Sequence, residues 1–354
     1  MLDWELTMKC NLDCSYCPSD LYGGHDNSTR HPALEQCLPA IDFMFEYADI
    51  YMATKPRGIR YVILNVYGGE ALHHPRIVEI LSAVRERYQS YQSRWHLTVT
   101  TTTNAVIPPH RLEQIIPLID EFTVSYHTEC TAAQKQLFQE NVLRIKTAGC
   151  RVKCVVLMHS DEERFQDAQQ QISWLQQHDI RHLPKQLDHP PEQDFNYNQH
   201  QVVWFEKLYQ TSLDHAVIKD HKVDLADTGR GCCGGRQLCE NQDFKNAKKF
   251  VHNKFPGWYC SVNRFFVYIK QVTGEVFVNK DCKMNYNGTV GPIGNLNDVN
   301  SLLAQARDPN LPIIRCAKSS CNCGLCAPKA ANLDTYQTIM RKYEIPNSDL
   351  LQKS

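Results

Sequence analysis

The residues Cys10-Asn11-Leu12-Asp13-Cys14-Ser15-Tyr16-Cys17 give the spacing Cys-x3-Cys-x2-Cys close to the start of the chain. Thiolates are soft metal ligands, and three of them on a short loop can hold three irons of a [4Fe–4S] cube. The fourth iron then has no protein ligand and stays open to a small molecule. Zinc is the alternative for such a loop, but a structural zinc site wants four closed ligands and the nearest histidine is His25. A second group of nine cysteines runs from 232 to 326: Cys232, Cys233, Cys239, Cys260, Cys282, Cys316, Cys321, Cys323 and Cys326. Its last four form Cys-x4-Cys-x-Cys-x2-Cys, for which a zinc knuckle is the competing reading.

The remaining four of the sixteen cysteines, Cys37, Cys130, Cys150 and Cys154, occupy the long middle and read as small buried apolar residues. The first five residues, Met1-Leu2-Asp3-Trp4-Glu5, have neither the basic start nor the apolar stretch of a signal peptide. A cytoplasmic location follows, where thiols stay reduced, so clustered cysteines point to metal sites rather than disulfides.

Such loops need rigid elements to aim them. Up to residue 187 the chain alternates short apolar runs with longer amphipathic ones, the pattern of a parallel α/β architecture. Strands are expected at 4–9, 60–67, 96–102, 121–126, 152–159 and 180–187. Helices are expected at 32–53, 75–90, 109–116, 132–147 and 162–178. Prolines begin the first three helices and Gly149 caps the fourth. Six βα units fall short of the eight of a closed barrel, so the expected fold is an open, partial (βα)6 barrel. His189-Pro190-Pro191 breaks the rhythm and divides the chain into a barrel at 1–190, a connection at 191–256 and a small cysteine-rich α+β domain at 257–354. One more helix is expected at 199–213. In the last part, runs at 265–271 and 276–279 flank Val272-Thr273-Gly274-Glu275, a β-hairpin signature, and a terminal helix is expected at 332–343.

The cysteine loop directly after a first strand resembles the signature of the radical S-adenosylmethionine enzymes. That family carries it on a partial (βα)6 barrel, often with an aromatic before the last cysteine, as Tyr16 is here. Tyr67-Gly68-Gly69-Glu70, after the second strand, resembles the family's Gly-Gly-Glu element, which binds the amino group of the cofactor's methionine part. Thr103-Asn104 ends the third strand where relatives carry Thr-Asn-Gly, though position 105 is alanine; Ser125 ends the fourth where relatives place a serine near the cofactor. The resemblance implies that Cys10, Cys14 and Cys17 ligate the cluster. It places Tyr16, Gly68, Gly69, Glu70, Asn104 and Ser125 around S-adenosylmethionine. His127 reads either as a substrate-side residue or as a satisfied strand-end histidine. Relatives also use an arginine for the cofactor carboxylate, and here the following helix offers Lys135 but no arginine before Arg144.

Cys260, the hairpin, Cys282 and the 316–326 group resemble the SPASM and twitch extensions of the same family, which bind auxiliary [4Fe–4S] clusters. The spacing departs from theirs after Gly274, so the resemblance implies one or two such clusters, with Cys260, Cys282, Cys316, Cys321, Cys323 and Cys326 as ligands. Whether Cys232, Cys233 and Cys239 join them stays open. Asp281, beside Cys282, is a candidate proton acceptor, an ordinary surface aspartate being the alternative.

The implied chemistry is reductive cleavage of S-adenosylmethionine to a 5′-deoxyadenosyl radical, which takes hydrogen from a substrate carbon. An electron donor such as flavodoxin or ferredoxin is then required. SPASM relatives mostly oxidise or cross-link peptides and twitch relatives often act on small molecules, so a peptide or protein side chain is expected, with a small metabolite such as an aminosugar or nucleoside as the alternative. The first strand begins near residue 3, which leaves no leader-recognition domain ahead of the barrel. Lys+Arg 38 against Asp+Glu 39 gives a net charge of −1, which argues against nucleic acid and anionic membranes as partners. No apolar run is long enough to span a bilayer. A non-catalytic module holding structural zinc at both ends is the remote alternative.

Overall fold

The computed structural model describes residues 1–17, 31–55, 60–187, 195–205, 207, 255–280, 282, 284–286, 288–308, 311–316 and 329–341. Strand β1 (Leu2–Thr7) leads to helix α1 (Leu34–Ala53), β2 (Tyr61–Gly68) to α2 (Ile77–Gln89), and β3 (His96–Thr103) to α3 (Pro109–Ile115). Then β4 (Glu121–Tyr126) leads to α4 (Ala132–Thr147), β5 (Arg151–Met158) to α5 (Glu162–Gln177), and β6 (Arg181–Gln186) ends the series. The six strands pair in parallel and in sequence order, and β6 forms one edge of the sheet. A parallel α/β sheet that does not close is the open barrel expected from the sequence.

Local chemistry sets the helix ends. Thr131 and Gln134 form a reciprocal capping box at the start of α4, and the Asp161 carboxylate accepts from the Arg164 amide at the start of α5. Gly149 ends α4 at φ +81°, a conformation that favours glycine. Helix α2 buries Ile77, Ile80, Leu81 and Val84, one face at helical spacing, against the sheet.

Strand β4 alternates between half-buried and buried residues: Phe122, Val124 and Tyr126 pack under the helices while Glu121, Thr123 and Ser125 face the other way. In β3 Leu97, Val99, Thr101 and Thr103 are buried, and in β5 Cys154, Val156 and Met158 are. The concave face is consequently polar, and a cavity of about 200 Å³ there is lined by Asn65, Thr98, Thr100, Thr102, Thr123 and Lys153 among others. Parallel sheets usually bury both faces. A wettable inner face leaves room for a ligand instead of a packed lumen.

Beyond residue 255 come β7 (Tyr259–Cys260), α6 (Val262–Phe265), β8 (Val267–Lys270), β9 (Glu275–Phe277), β10 (Gly294–Asn295), α7 (Val299–Arg307), β11 (Ile314–Arg315), β12 (Lys329–Ala330) and α8 (Leu333–Met340). The expected hairpin forms: β8 and β9 are antiparallel, and Gly274 turns between them at φ +70°. Its place adds to the sequence reading, because β8 pairs in parallel with β1 and extends the barrel sheet to nine strands, ordered β10-β9-β8-β1-β2-β3-β4-β5-β6. The physical reason is the open barrel itself: β1 would otherwise present an unpaired row of amides and carbonyls. Trp4, fully buried, donates its indole N–H to Gln271 at 2.9 Å across this seam. Val267, Ile269, Val276, Leu302 and Leu303 share one apolar core with the barrel. A second, three-stranded antiparallel sheet, β11-β7-β12, holds Cys260 at its centre.

Residues 199–205 are helical and bring Trp204 and Phe205 against Phe165. The expectation that all four middle cysteines are buried holds for Cys37 and Cys154; Cys130 and Cys150 are half-buried because both sit in loops at strand ends. Among the described residues no helix is long and apolar enough to cross a membrane.

Candidate functional site

The cysteine loop leaves the C-terminal end of β1, the rim where barrel active sites are built. The Gly68-Gly69-Glu70 turn holds it there. The Gly69 amide donates to the Thr7 carbonyl at 2.8 Å and the Glu70 amide to the Lys9 carbonyl at 2.7 Å, so the β1–β2 pairing runs into the loop. A Cβ on Gly68 would lie 2.0 Å from the Thr7 carbonyl oxygen, and one on Gly69 would lie 2.4 Å from that of Lys9. Both positions need glycine because backbone meets backbone.

Glu70 is fully buried. Its Oε1 accepts from the Leu72 amide at 3.0 Å and the Thr103 hydroxyl at 2.8 Å, and its Oε2 accepts from the Asn104 amide at 2.6 Å. It thereby fastens the end of β2 to the end of β3. Burial pushes its pKa up to about 7 against the pull of those three donors. Asn104 carries the link onward: its Nδ2 donates to Asn11 Oδ1 at 2.8 Å and lies 3.7 Å from Cys10 Sγ. Ala105 takes φ +55°, so the left-handed conformation that suits glycine is kept here by alanine.

Two of the loop sulfurs have polar neighbours. Cys10 Sγ also faces the Leu12 amide at 3.4 Å, and Cys14 Sγ lies 3.3 Å from His127 Nδ1. Cys10, Cys14 and Cys17 act on one another electrostatically, and no disulfide joins the described cysteines. Burial pushes the Cys10 thiol up to about 12 and also raises Cys14. Thiolates at such positions need a cationic centre to offset their desolvation, which iron provides. Among the described residues no three His, Cys, Asp or Glu side chains are gathered for a single metal ion. A cube, by contrast, takes each thiolate on a different iron. The donor set fits the cluster.

Tyr16 is 4% exposed and packs with Cys14 and Leu187, its hydroxyl 3.0 Å from His127 Nδ1. His127 is half-buried, and its desolvation lowers its pKa to about 4. Ser125 sits on the concave face at the end of β4. Lys135 pairs with Asp167 at 3.0 Å and Arg144 with Glu113 at 3.1 Å. Three further residues join the site. Glu129 accepts from the Ser15 amide and hydroxyl, both at 2.6 Å, and from Arg164 at 2.5 Å, and Arg164 lies 3.0 Å from His159 Nε2. These residues line a polar cavity of about 750 Å³ beside the loop. Their place just past the ends of β4 and β5 is the feature that could have flagged Glu129 and His159.

In the C-terminal part, Cys260, Cys282 and Cys316 converge on one apolar cluster with Phe255, Val262 and Met284. Burial first, and then the neighbouring Cys282 and Cys316, push the Cys260 thiol up to about 11 against the pull of Lys329. Asp281, Cys321, Cys323 and Cys326, like Cys232, Cys233 and Cys239, lie outside the described residues.

Comparison of the whole fold with solved structures finds anSMEcpe, an anaerobic sulfatase-maturating radical S-adenosylmethionine enzyme, with bound AdoMet. The TM-score is 0.53 at 11% identity, covering 84% of this chain and 78% of that one. The same enzyme with bound AdoMet and Kp18Cys peptide matches at a TM-score of 0.52 and 10% identity, over 97% of this chain and 96% of that one. Its complex with Cp18Cys peptide matches at 0.52 and 11%. This chain has the radical S-adenosylmethionine fold. No protein-family model matches the sequence, and no curated protein matches it. Within this fold, the cysteine loop, the Gly-Gly-Glu turn and Asn104 all meet at the rim of the radical S-adenosylmethionine barrel.

Proposed function

We propose that this protein is a radical S-adenosylmethionine enzyme that modifies a peptide or protein side chain by oxidation or cross-linking. The observation that carries the reading is the junction of the cysteine loop with the Gly-Gly-Glu turn, made by the Gly69 and Glu70 amides on Thr7 and Lys9. When bound, the [4Fe–4S] cluster and S-adenosylmethionine supply one-electron cleavage to a carbon radical.

The chain's own residues bind and orient. Cys10, Cys14 and Cys17 hold the cluster. The Gly68–Glu70 turn takes the cofactor's amino group, with the Glu70 carboxylate buried behind it and held by three donors. Asn104 steadies Cys10, Tyr16 walls the site and Ser125 faces the cofactor from β4. The polar concave face receives the substrate. Cys260, Cys282 and Cys316, with Cys321, Cys323 and Cys326, hold one or two auxiliary clusters in a SPASM-type arrangement, with Asp281 as the proton acceptor beside Cys282. The peptide reading draws on the solved relative, whose complexes carry AdoMet with Kp18Cys or Cp18Cys peptide. A flavodoxin or ferredoxin in the cytoplasm supplies the electron.

The test is anaerobic reconstitution with S-adenosylmethionine and dithionite. 5′-Deoxyadenosine should form, and replacement of Cys10, Cys14 and Cys17 by alanine should abolish it while auxiliary iron and sulfide remain. Undiminished product from that variant would remove the loop from the chemistry. Zinc without sulfide in the purified protein would favour a structural metal module. Candidate peptides are then followed by mass spectrometry, where loss of two hydrogens marks the oxidation or cross-link.

A further inference from the structure

The sulfur of Cys14 meets a histidine. His127 Nδ1 lies 3.3 Å from Cys14 Sγ and 3.0 Å from the Tyr16 hydroxyl. The imidazole and phenol planes are parallel to within 1°, with ring centroids 6.0 Å apart, so the rings are offset and meet through the hydroxyl and Nδ1. His127 stands one residue past β4, and Tyr126 before it is anchored under the helices, its hydroxyl donating to Asp167 at 3.0 Å. The imidazole is therefore presented by the scaffold, 113 residues away from the sulfur it faces.

Resting on the reading that the loop holds a cluster, we infer that His127, its ring held against the Tyr16 hydroxyl, donates a hydrogen bond to the Cys14 thiolate and is a positioning residue that sets the cluster's reduction potential. An iron-bound thiolate can only accept. A bare Nδ1 lone pair facing it at 3.3 Å would repel it, so the tautomer with the proton on Nδ1 is selected. Reduction adds negative charge to the cluster, and donors to its sulfurs favour the reduced form, one of the established controls on such potentials. At Cys10 the Leu12 amide lies at 3.4 Å and Asn104 Nδ2 at 3.7 Å, so its sulfur faces amide nitrogens while that of Cys14 faces an imidazole.

The experiment uses the full-length, anaerobically reconstituted protein and needs no substrate. The loop cluster's EPR signal is picked out by its change on adding S-adenosylmethionine, and is then followed in a potentiometric titration. His127→Phe keeps an aromatic ring and removes the donor. At a fixed applied potential it should raise the ratio of oxidised to reduced loop cluster by about threefold or more. Tyr16→Phe removes the hydroxyl that holds the His127 ring and should give a smaller shift. In the unaltered protein carrying 15N only in its histidines, pulsed EPR should detect a 15N coupling to the reduced cluster, and that coupling should vanish in His127→Phe. Unchanged potentials in both variants at full iron content would overturn the inference and leave the proposed function standing. So would the absence of histidine 15N coupling in the unaltered protein, a measurement that requires no variant to fold. If the unaltered protein holds no loop cluster, the proposed function and this inference fail together.

Discussion

Glu129 grips Ser15 twice, accepting its backbone amide and its hydroxyl at 2.6 Å each, across 114 residues of sequence. The contact fixes the middle of the cysteine loop to the segment after β4, and Arg164 at 2.5 Å holds the same carboxylate from α5. Hydrogen bonds to a charged group contribute about 1.5–3 kcal/mol each. Glu129→Ala should therefore loosen the loop while the barrel stays folded. Iron release to a chelator should be several-fold faster than from the unaltered protein, with an unchanged circular dichroism spectrum. Equal release rates would mean the loop is held without Glu129.

Glu70 should make stability depend on pH in a definite direction. Its folded pKa of about 7 lies above the ordinary carboxylate value of 4.5, so the fold favours the protonated form. That contribution is fully present below pH 4.5 and is lost as pH rises through 7, with a size of about 3 kcal/mol in the apoprotein. Urea unfolding at pH 5 and pH 8 measures it. Glu70→Gln cannot titrate, so its stability should fall less over that interval, although its amide must place an N–H against one of the three donors. The same pH dependence in both proteins would locate the titration elsewhere.

Ala105, at φ +55° and 1% exposed, tests the backbone after β3. Ala105→Gly relieves the left-handed strain of about 1–2 kcal/mol but loses a buried methyl and adds freedom to the unfolded chain. The net change should stay within about 1 kcal/mol. Ala105→Val puts a β-branched side chain into the same conformation and should cost more than about 2 kcal/mol. Thermal melts of the two proteins compare them directly. A valine variant as stable as the parent would show that the turn is not held at this φ.

Trp4→Phe tests the seam between β1 and the hairpin. It removes the donor to Gln271, leaves that carbonyl buried without its indole partner, and opens space in the core. A loss of about 2–4 kcal/mol is expected. Fluorescence and circular dichroism should report one coincident urea transition for the barrel and the hairpin in both proteins. Separate transitions in the parent would mean that the two regions fold independently.

The six βα units, the open barrel, the glycine hairpin and the two cysteine groups were legible from sequence, because each is written in local terms. Apolar periodicity of two or near four, proline and glycine at element ends, and thiol spacing all act within a few residues. The Gly-Gly pair at 68–69 was legible as a motif, yet its physical need, backbone packing on Thr7 and Lys9, appears only with β1 and β2 side by side. The same is true of Glu70, whose enclosure and three donors come from two different strand ends. Nothing in the sequence placed β8 against β1, since strand pairing across 265 residues is decided by which edge is left open and what core can cover it. Nor did it join Ser15 to Glu129 or Cys14 to His127. Those partnerships form because parallel strands bring all their C-terminal ends to one rim, and distance along the chain says nothing about distance across it.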